Sequence, residues 1–188
     1  KARGLAFLNS LVQKYNLSRK YDDVKISIPR TVVVATDYFD QFIVENGLQY
    51  VIDSEISDEE ILSEFVSSRL PEGLVEQLRS YIDTVRTPLA VRSSSKLEDS
   101  SYQPFAGVYS TYMIPLVENK SQMLRMLGKA IKSVYASVFY AGSRTYIQTT
   151  ANLLSEEKMA VVIQSICGSE HDGLYYPMLS GVARSVNF

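Results

Sequence analysis

Residues 87–116 of the chain read TPLAVRSSSKLEDSSYQPFAGVYSTYMIPL. The stretch begins as a short apolar strand over residues 88–91, which delivers Arg92 into a polar run of three serines and a lysine. A loop and a second strand follow, and Gly107 lies where that second strand opens. The planar guanidinium of Arg92 matches phosphate oxygens, serine hydroxyls add donors, and a glycine lets the backbone approach a ligand. The pattern indicates a phosphate site, although Arg-Ser-Ser alone is more typical of a basic turn between strands.

The whole stretch is more specific than its arginine and serines. It resembles the ATP-binding domain of the phosphoenolpyruvate synthase and pyruvate phosphate dikinase family, whose signature runs V-R-S-S-A-x-x-E-D, then a short loop, then F-A-G-x-x-x-T. The matching residues are Val91-Arg92-Ser93-Ser94-Ser95, Glu98-Asp99, Phe105-Ala106-Gly107 and Thr111. The separation between Arg92 and the Phe-Ala-Gly triplet fits the family without a gap.

Other segments extend the resemblance over nearly all 188 residues. The opening Lys1-Ala2-Arg3-Gly4-Leu5 resembles the family's G-G-K-(A/G)-x-x-L motif from its lysine onward, and residues 134–139 resemble x-W-A-S-L-F with tyrosine for tryptophan. Residues 161–166 resemble V-x-V-Q-x-M. Two segments depart from the family: Arg30-Thr31 replaces Pro-Gly, and Arg184-Ser185 interrupts S-G-V-x-F-T.

The resemblance implies a nucleotide site. Lys1 and Arg92 would neutralise the triphosphate, Gly107 would present its backbone to phosphate, Thr111 would offer a hydroxyl, and Gln164 would contact the adenine end. The implied cofactors are ATP and Mg²⁺. We expect the Mg²⁺ ligands mainly in a missing second lobe, with no metal site within these residues.

The fold that the resemblance implies is the N-terminal part of an ATP-grasp domain. The predicted class is therefore α+β, with a mixed or antiparallel sheet and flanking helices. Residues 1–188 would form the N-terminal portion of the ATP-binding domain, with possible sub-lobes at residues 1–86 and 87–188.

Individual elements can be predicted from apolar spacing and capping residues. We expect a helix over residues 1–16 packed on the core, a strand over residues 26–34, a helix over residues 119–140 and a buried strand over residues 158–166 that carries Gln164. Two further helices are expected after Ser57 and Pro71. We also expect Thr36 or Asp37 to cap a helix that ends near Gly47, and a capping box between Ser57 and Glu60. The acidic run over residues 53–60 should favour helix N-termini.

Composition limits the partners. The chain has 46% apolar and 21% charged residues and a net charge of -2. No arginine-rich face stands out in the sequence, so nucleic acid is not an expected partner, and no apolar run reaches membrane-spanning length. Its one cysteine, Cys167, fits a reducing cytoplasm and is expected to be a buried structural thiol. His171 is expected to be a solvated loop residue. Because no initiating methionine is present, we expect a fragment, which could form a homodimer through an exposed apolar face.

In the family, ATP phosphorylates a histidine on a separate domain, and the phosphate then passes to pyruvate on a third. The predicted partners are therefore ATP and the downstream phosphohistidine and phosphoenolpyruvate/pyruvate-binding domains, and the fragment alone should be inactive. Two alternatives stay open. One is a related dikinase with another acceptor, such as a rifampicin or glucan phosphotransferase; the other is a degenerate, non-catalytic regulatory module.

Overall fold

A computed structural model of the chain describes residues 1–52, 54–95, 109–148 and 157–182. In this part, helices flank a four-stranded sheet, and a separate two-stranded hairpin follows it. The α-helices are α1 (Ala2–Lys14), α2 (Thr36–Glu45), α3 (Asp58–Ser67), α4 (Glu72–Ile82), α5 (Lys120–Ala136) and α6 (Ala141–Gln148). The strands are β1 (Thr31–Val34), β2 (Leu89–Ser95), β3 (Thr111–Ile114), β4 (Met159–Ser165), β5 (Ser169–His171) and β6 (Leu174–Tyr176).

The four-stranded sheet has the order β1-β4-β2-β3, and all of its neighbouring strands are antiparallel. In register, Gln164 of β4 lies opposite both Thr31 of β1 and Ala90 of β2, while Arg92 of β2 lies opposite Thr111 of β3. The predicted α+β class, with an antiparallel sheet and flanking helices, is confirmed.

The main core lies between one face of this sheet and the helices. Side chains alternate between the two faces of a strand, so Leu89 and Val91 of β2 share one face with Ile163 of β4. All three are fully buried in one cluster, which α5 and α2 help to cover. The predicted long helix is confirmed from its start, where the Asn119 side chain accepts a hydrogen bond from Gln122 N at 2.9 Å. It ends at Ala136, four residues earlier than expected, and a 3₁₀ turn follows at Ser137–Phe139.

Two of the predicted helix ends are confirmed and one is wrong. The Ser57 hydroxyl accepts from Glu60 N at 3.2 Å, and the Glu60 carboxylate accepts from Ser57 N at 2.9 Å, so the capping box is present. Gly47 follows α2 with φ +63°, a conformation that favours glycine. Neither Thr36 nor Asp37 caps α2, because the helix already begins at Thr36 and the N-cap position is Ala35.

The N-terminal helix forms but does not pack as predicted. None of the residues of α1 is buried, and Phe7 is 64% exposed. The reason is its position, since the first residues of α1 contact Ser93 and Ser94 rather than the main core. The strand expected over residues 26–34 is also shorter, because β1 covers only Thr31–Val34. Pro29 lacks the N–H that a ladder requires.

The predictions for Cys167 and His171 need correction. Cys167 is exposed, because β4 ends at Ser165 and the thiol follows that end. His171 belongs to a strand rather than to a loop: it ends β5, its ring centroid lies 4.6 Å from that of Tyr176, and its Nε2 lies 2.9 Å from Ser169 Oγ. The hairpin turn uses Asp172 and Gly173, both at positive φ.

Tyr135 places a hydroxyl in the aromatic part of the core. Its ring meets Phe39 edge-on at a centroid distance of 5.0 Å, and among the described residues its buried hydroxyl has no hydrogen-bond partner. Burial raises the pKa of this phenol. A buried hydroxyl without a hydrogen-bond partner lowers the stability of the fold, whereas a phenylalanine ring of the same shape carries no such penalty.

We therefore expect Tyr135→Phe to raise the free energy of unfolding by about 1 kcal/mol, measured by urea unfolding. Tyr146→Phe on α6 is the matched control. The hydroxyl of Tyr146 is not one of the buried hydroxyls that lack a partner, so this change should not raise the free energy of unfolding. A loss of stability in Tyr135→Phe would show that the hydroxyl is satisfied in solution.

Candidate functional site

Arg92 lies in the middle of β2 and not at its end. The strand continues through Ser95, and Ser93, Ser94 and Ser95 pair with Val161, Ala160 and Met159 of β4. The serines predicted to form a polar run after the strand are therefore buried strand residues. Arg92 is the half-buried exception among seven strand positions, of which the other six are buried. The sheet therefore fixes the position at which the Arg92 cation reaches the surface.

A line of hydrogen bonds crosses three strands at Arg92. Arg92 Nη1 donates to Gln164 Oε1 at 3.4 Å, and Gln164 Nε2 donates to Thr31 Oγ1 at 3.1 Å. The Thr31 hydroxyl in turn donates to the Pro29 carbonyl at 2.8 Å. The register explains this arrangement, since Thr31 and Gln164 are paired directly and Arg92 lies diagonally from Gln164 on the same face.

Thr111 extends the same face on the other side of Arg92. Paired residues of an antiparallel ladder project to the same side, so the exposed Thr111 side chain lies beside Arg92. Farther along, Met113 of β3 and Val33 of β1 are also exposed, at 67% and 46%. We name the residues Thr31, Arg92, Thr111 and Gln164 the polar sheet face.

Lys1 reaches β2 close to this face. Its Nζ lies 3.2 Å from Ser93 Oγ, and the amide of Ala2 lies 3.4 Å from Ser94 Oγ. Lys1, at the start of α1, thus contacts the residue that follows Arg92 in β2. Gly107, with the Glu98-Asp99 and Phe105-Ala106 segments, lies outside the described residues.

Sequence reasoning missed two contributions to the site. Thr31 was treated as a departure from the family pattern, yet it anchors the amide of Gln164. Its position two residues before Val33 in a short β-branched run was a usable signal, because period-two spacing places both on one face. The contact of Lys1 with Ser93 had no comparable signal, since 92 residues separate the two along the chain.

The polar sheet face combines a guanidinium, two hydroxyls and an amide. Among the described contacts of the Arg92 side chain, only Nη1 donates, which leaves further N–H groups of the fork for an anion. In the part of the chain that the structure describes, no group of three or more His, Cys, Asp or Glu side chains could hold a metal ion. The face suits an anion with an attached group that forms hydrogen bonds.

No helix among the described residues combines the length and the apolar character needed to cross a bilayer.

Comparison with known proteins relates the chain to a family and to two curated proteins. The family model described as pyruvate phosphate dikinase, AMP/ATP-binding domain, matches residues 12–188. The chain is 29% identical over 151 residues to the uncharacterized phosphotransferase YvkC of Bacillus subtilis, covering 80% of this chain and 17% of that protein. It is 25% identical over 173 residues to the phosphoenolpyruvate synthase of Aeropyrum pernix, covering 80% of this chain and 20% of that protein.

The chain thus spans about a fifth of the length of the curated relatives it matches. The family match, in contrast, covers nearly the whole chain and includes the strands that carry Arg92, Thr111 and Gln164. The chain therefore belongs to the pyruvate phosphate dikinase AMP/ATP-binding domain family.

Proposed function

We propose that the polar sheet face is the ATP-binding surface of a phosphoenolpyruvate synthase-like phosphotransferase. The observation that carries the proposal is the hydrogen-bonded line from Arg92 through Gln164 to Thr31, with Thr111 directly opposite Arg92. It places a cation with unused N–H groups next to an amide that is already held in a fixed position. Membership of an AMP/ATP-binding family supports ATP as the ligand.

The proposed roles follow from charge and position. Arg92 and Lys1 hold the phosphates, Thr111 donates its hydroxyl to a phosphate oxygen, and Gln164 contacts the adenine end. We assign Gly107 a backbone contact with phosphate from the resemblance alone. Because the bond between Arg92 and Gln164 is long, at 3.4 Å, it contributes little, and ATP can replace it with contacts of its own.

The proposed reaction is phosphoryl transfer from ATP to a histidine on another domain, and from there to pyruvate. Positioning and charge neutralisation supply most of the catalysis in such transfers, which is what Lys1 and Arg92 can provide. Mg²⁺ would arrive with ATP, and residues outside the described part would complete its ligands. On this proposal the domain is the first part of an ATP-grasp fold, and these residues alone bind ATP without transferring phosphate.

Substituting Gln164 by leucine tests the assignment of the two ends of ATP. We expect Gln164→Leu to weaken binding of ATP and adenosine by about 2- to 13-fold, because a neutral hydrogen bond contributes about 0.5–1.5 kcal/mol. Binding of tripolyphosphate, which has no base, should change less than about 2-fold. Isothermal titration calorimetry in the presence of Mg²⁺ measures all three ligands.

The matched control is Gln13→Leu on α1, an exposed glutamine outside the polar sheet face, which should bind all three ligands as the parent does. If Gln164→Leu weakened tripolyphosphate as much as ATP, Gln164 would belong with the phosphates. If the parent bound neither ATP nor adenosine, the proposal of an ATP site within this chain would fail.

A further inference from the structure

A groove of about 600 Å³ runs between α4 and α5, away from the polar sheet face. We call its floor the half-buried apolar side chains and the buried glycine that line it, namely Leu70, Val75, Leu124 and Gly128. The α5 helix covers the core side of the sheet, whereas Arg92 and Gln164 project from the opposite side, so none of the residues lining the groove belongs to the proposed ATP site.

The rim of the groove is strongly basic. Arg69, Arg79, Arg125 and Lys129 line it, and two carboxylates, Glu72 and Glu76, accompany them. In the part of the chain that the structure describes, no side-chain hydrogen bond or ion pair engages Arg79, Arg125 or Lys129. The chain as a whole carries a net charge of -2, so this concentration of cations is local.

Helical spacing explains why the cations gather here. On α4, Glu72, Val75, Glu76 and Arg79 are three or four residues apart and share one face, and on α5 Leu124 and Gly128 share one face in the same way. Arg125 and Lys129 are one turn apart beside that apolar line. The groove therefore runs along the helices, with apolar residues below and charged side chains at its edges.

The walls of the groove are held in place before any ligand arrives. Lys132 of α5 donates to the carbonyl oxygens of Val66 and, at 3.0 Å, Ser68. These contacts tie the end of α3 and the α3–α4 connection to α5. An added Cβ at Gly128 would lie 3.4 Å from Leu70 Cδ1, so the glycine lets Leu70 lie close to the helix.

We propose that this groove is a docking site for an acidic amphipathic helix of a protein partner. An apolar stripe on such a helix would cover Leu70, Val75 and Leu124, and the carboxylates flanking the stripe would meet Arg79, Arg125 and Lys129. A small phosphorylated ligand fits less well, because the cations are exposed at the rim while the floor offers apolar surface. Complementary charge at a rim favours fast association and selects against basic partners.

The test uses a fluorescein-labelled, stapled helical peptide with a leucine stripe flanked by glutamates, followed by fluorescence anisotropy. We expect saturable binding to the parent protein, and binding weaker by roughly tenfold or more when lysines replace the glutamates of the peptide. The double variant Arg125→Glu/Lys129→Glu should lose binding of the acidic peptide by roughly tenfold or more as well. Both positions are exposed, so the fold should tolerate the change.

The control variant is Arg19→Glu/Lys25→Glu, which makes the same change of charge at exposed positions outside the groove and should bind the peptide within about twofold of the parent. Absence of saturable binding by the acidic peptide, or equal binding of the lysine peptide, would overturn the proposal. Displacement of the peptide by tripolyphosphate at equal affinity would assign the groove to small anions instead. ATP binding, measured in parallel, should be unchanged in Arg125→Glu/Lys129→Glu, which separates this outcome from that of the ATP proposal.

Discussion

Replacing Arg92 by alanine should weaken ATP binding by about 1.5–3 kcal/mol, the range for a charge-assisted hydrogen bond. That corresponds to an increase of the dissociation constant by roughly 10- to 150-fold, measured by titration calorimetry with Mg²⁺. The expected loss of affinity is large because of the position of Arg92. The guanidinium is held in mid-strand, half-buried, between Thr111 and Gln164, so no other side chain of the polar sheet face can replace its charge.

Two further variants accompany Arg92→Ala, one to separate charge from geometry and one as a control. Arg92→Lys retains the cation but loses the planar fork, so we expect its affinity to fall between those of the parent and Arg92→Ala. Arg125→Ala removes an exposed arginine of α5 and should leave ATP binding unchanged. Equal binding by Arg92→Ala and the parent, with both proteins folded by circular dichroism, would remove Arg92 from the site.

Replacing Phe42 by alanine should lower the free energy of unfolding by about 3–5 kcal/mol, the usual cost of truncating a buried phenylalanine. Phe42 is fully buried, and its ring lies 5.7 Å from Phe65 and 5.5 Å from Tyr135 between centroids. These residues come from α2, α3 and α5, so the cavity would open where three helices meet. A small domain has only about 5–15 kcal/mol of stability, so the variant should be close to unfolding at 37 °C.

The measurement is the midpoint and slope of urea unfolding, with Val44→Ala as the matched control. Val44 lies on the same helix but is 65% exposed, so its truncation should change the free energy of unfolding by less than about 0.5 kcal/mol. Similar losses in both variants would contradict the position of the core between α2, α3 and α5.

The α+β class was predicted from the family resemblance, whereas the individual helices were predictable because their signals are local. Capping by Ser57 and Asn119, the positive φ of Gly47 and the apolar spacing of α5 depend on residues within a few positions of one another. The errors arose where a distant contact or the exact end of an element decides the outcome. The packing of α1 is set by Ser93 and Ser94, and Cys167 is exposed because β4 stops short of it.

The members of the candidate site were chosen from the sequence, but its geometry could not be predicted. Arg92, Thr111 and Gln164 were chosen from family resemblance, and the structure places them on adjacent strands. The contact of Arg92 with Gln164 depends on the β2–β4 register, which joins segments about 70 residues apart and cannot be derived from spacing along the chain. The same holds for Thr31, whose role appears only when β1 pairs with β4. The ATP-binding roles of Lys1, Arg92, Gly107, Thr111 and Gln164 stay predictions, as does the sub-lobe boundary at residues 86–87.

The most direct measurement of the central claim is to map ATP on the protein by NMR, following backbone amide and side-chain shifts during titration with ATP and Mg²⁺. We expect the shifts to cluster at Thr31, Arg92, Thr111 and Gln164, with the Arg92 guanidinium and the Gln164 amide among the largest. Residues of the groove between α4 and α5, such as Arg125 and Lys129, should not move. Shifts confined to that groove, or absent from the polar sheet face at saturating ATP, would contradict the assignment of the nucleotide site.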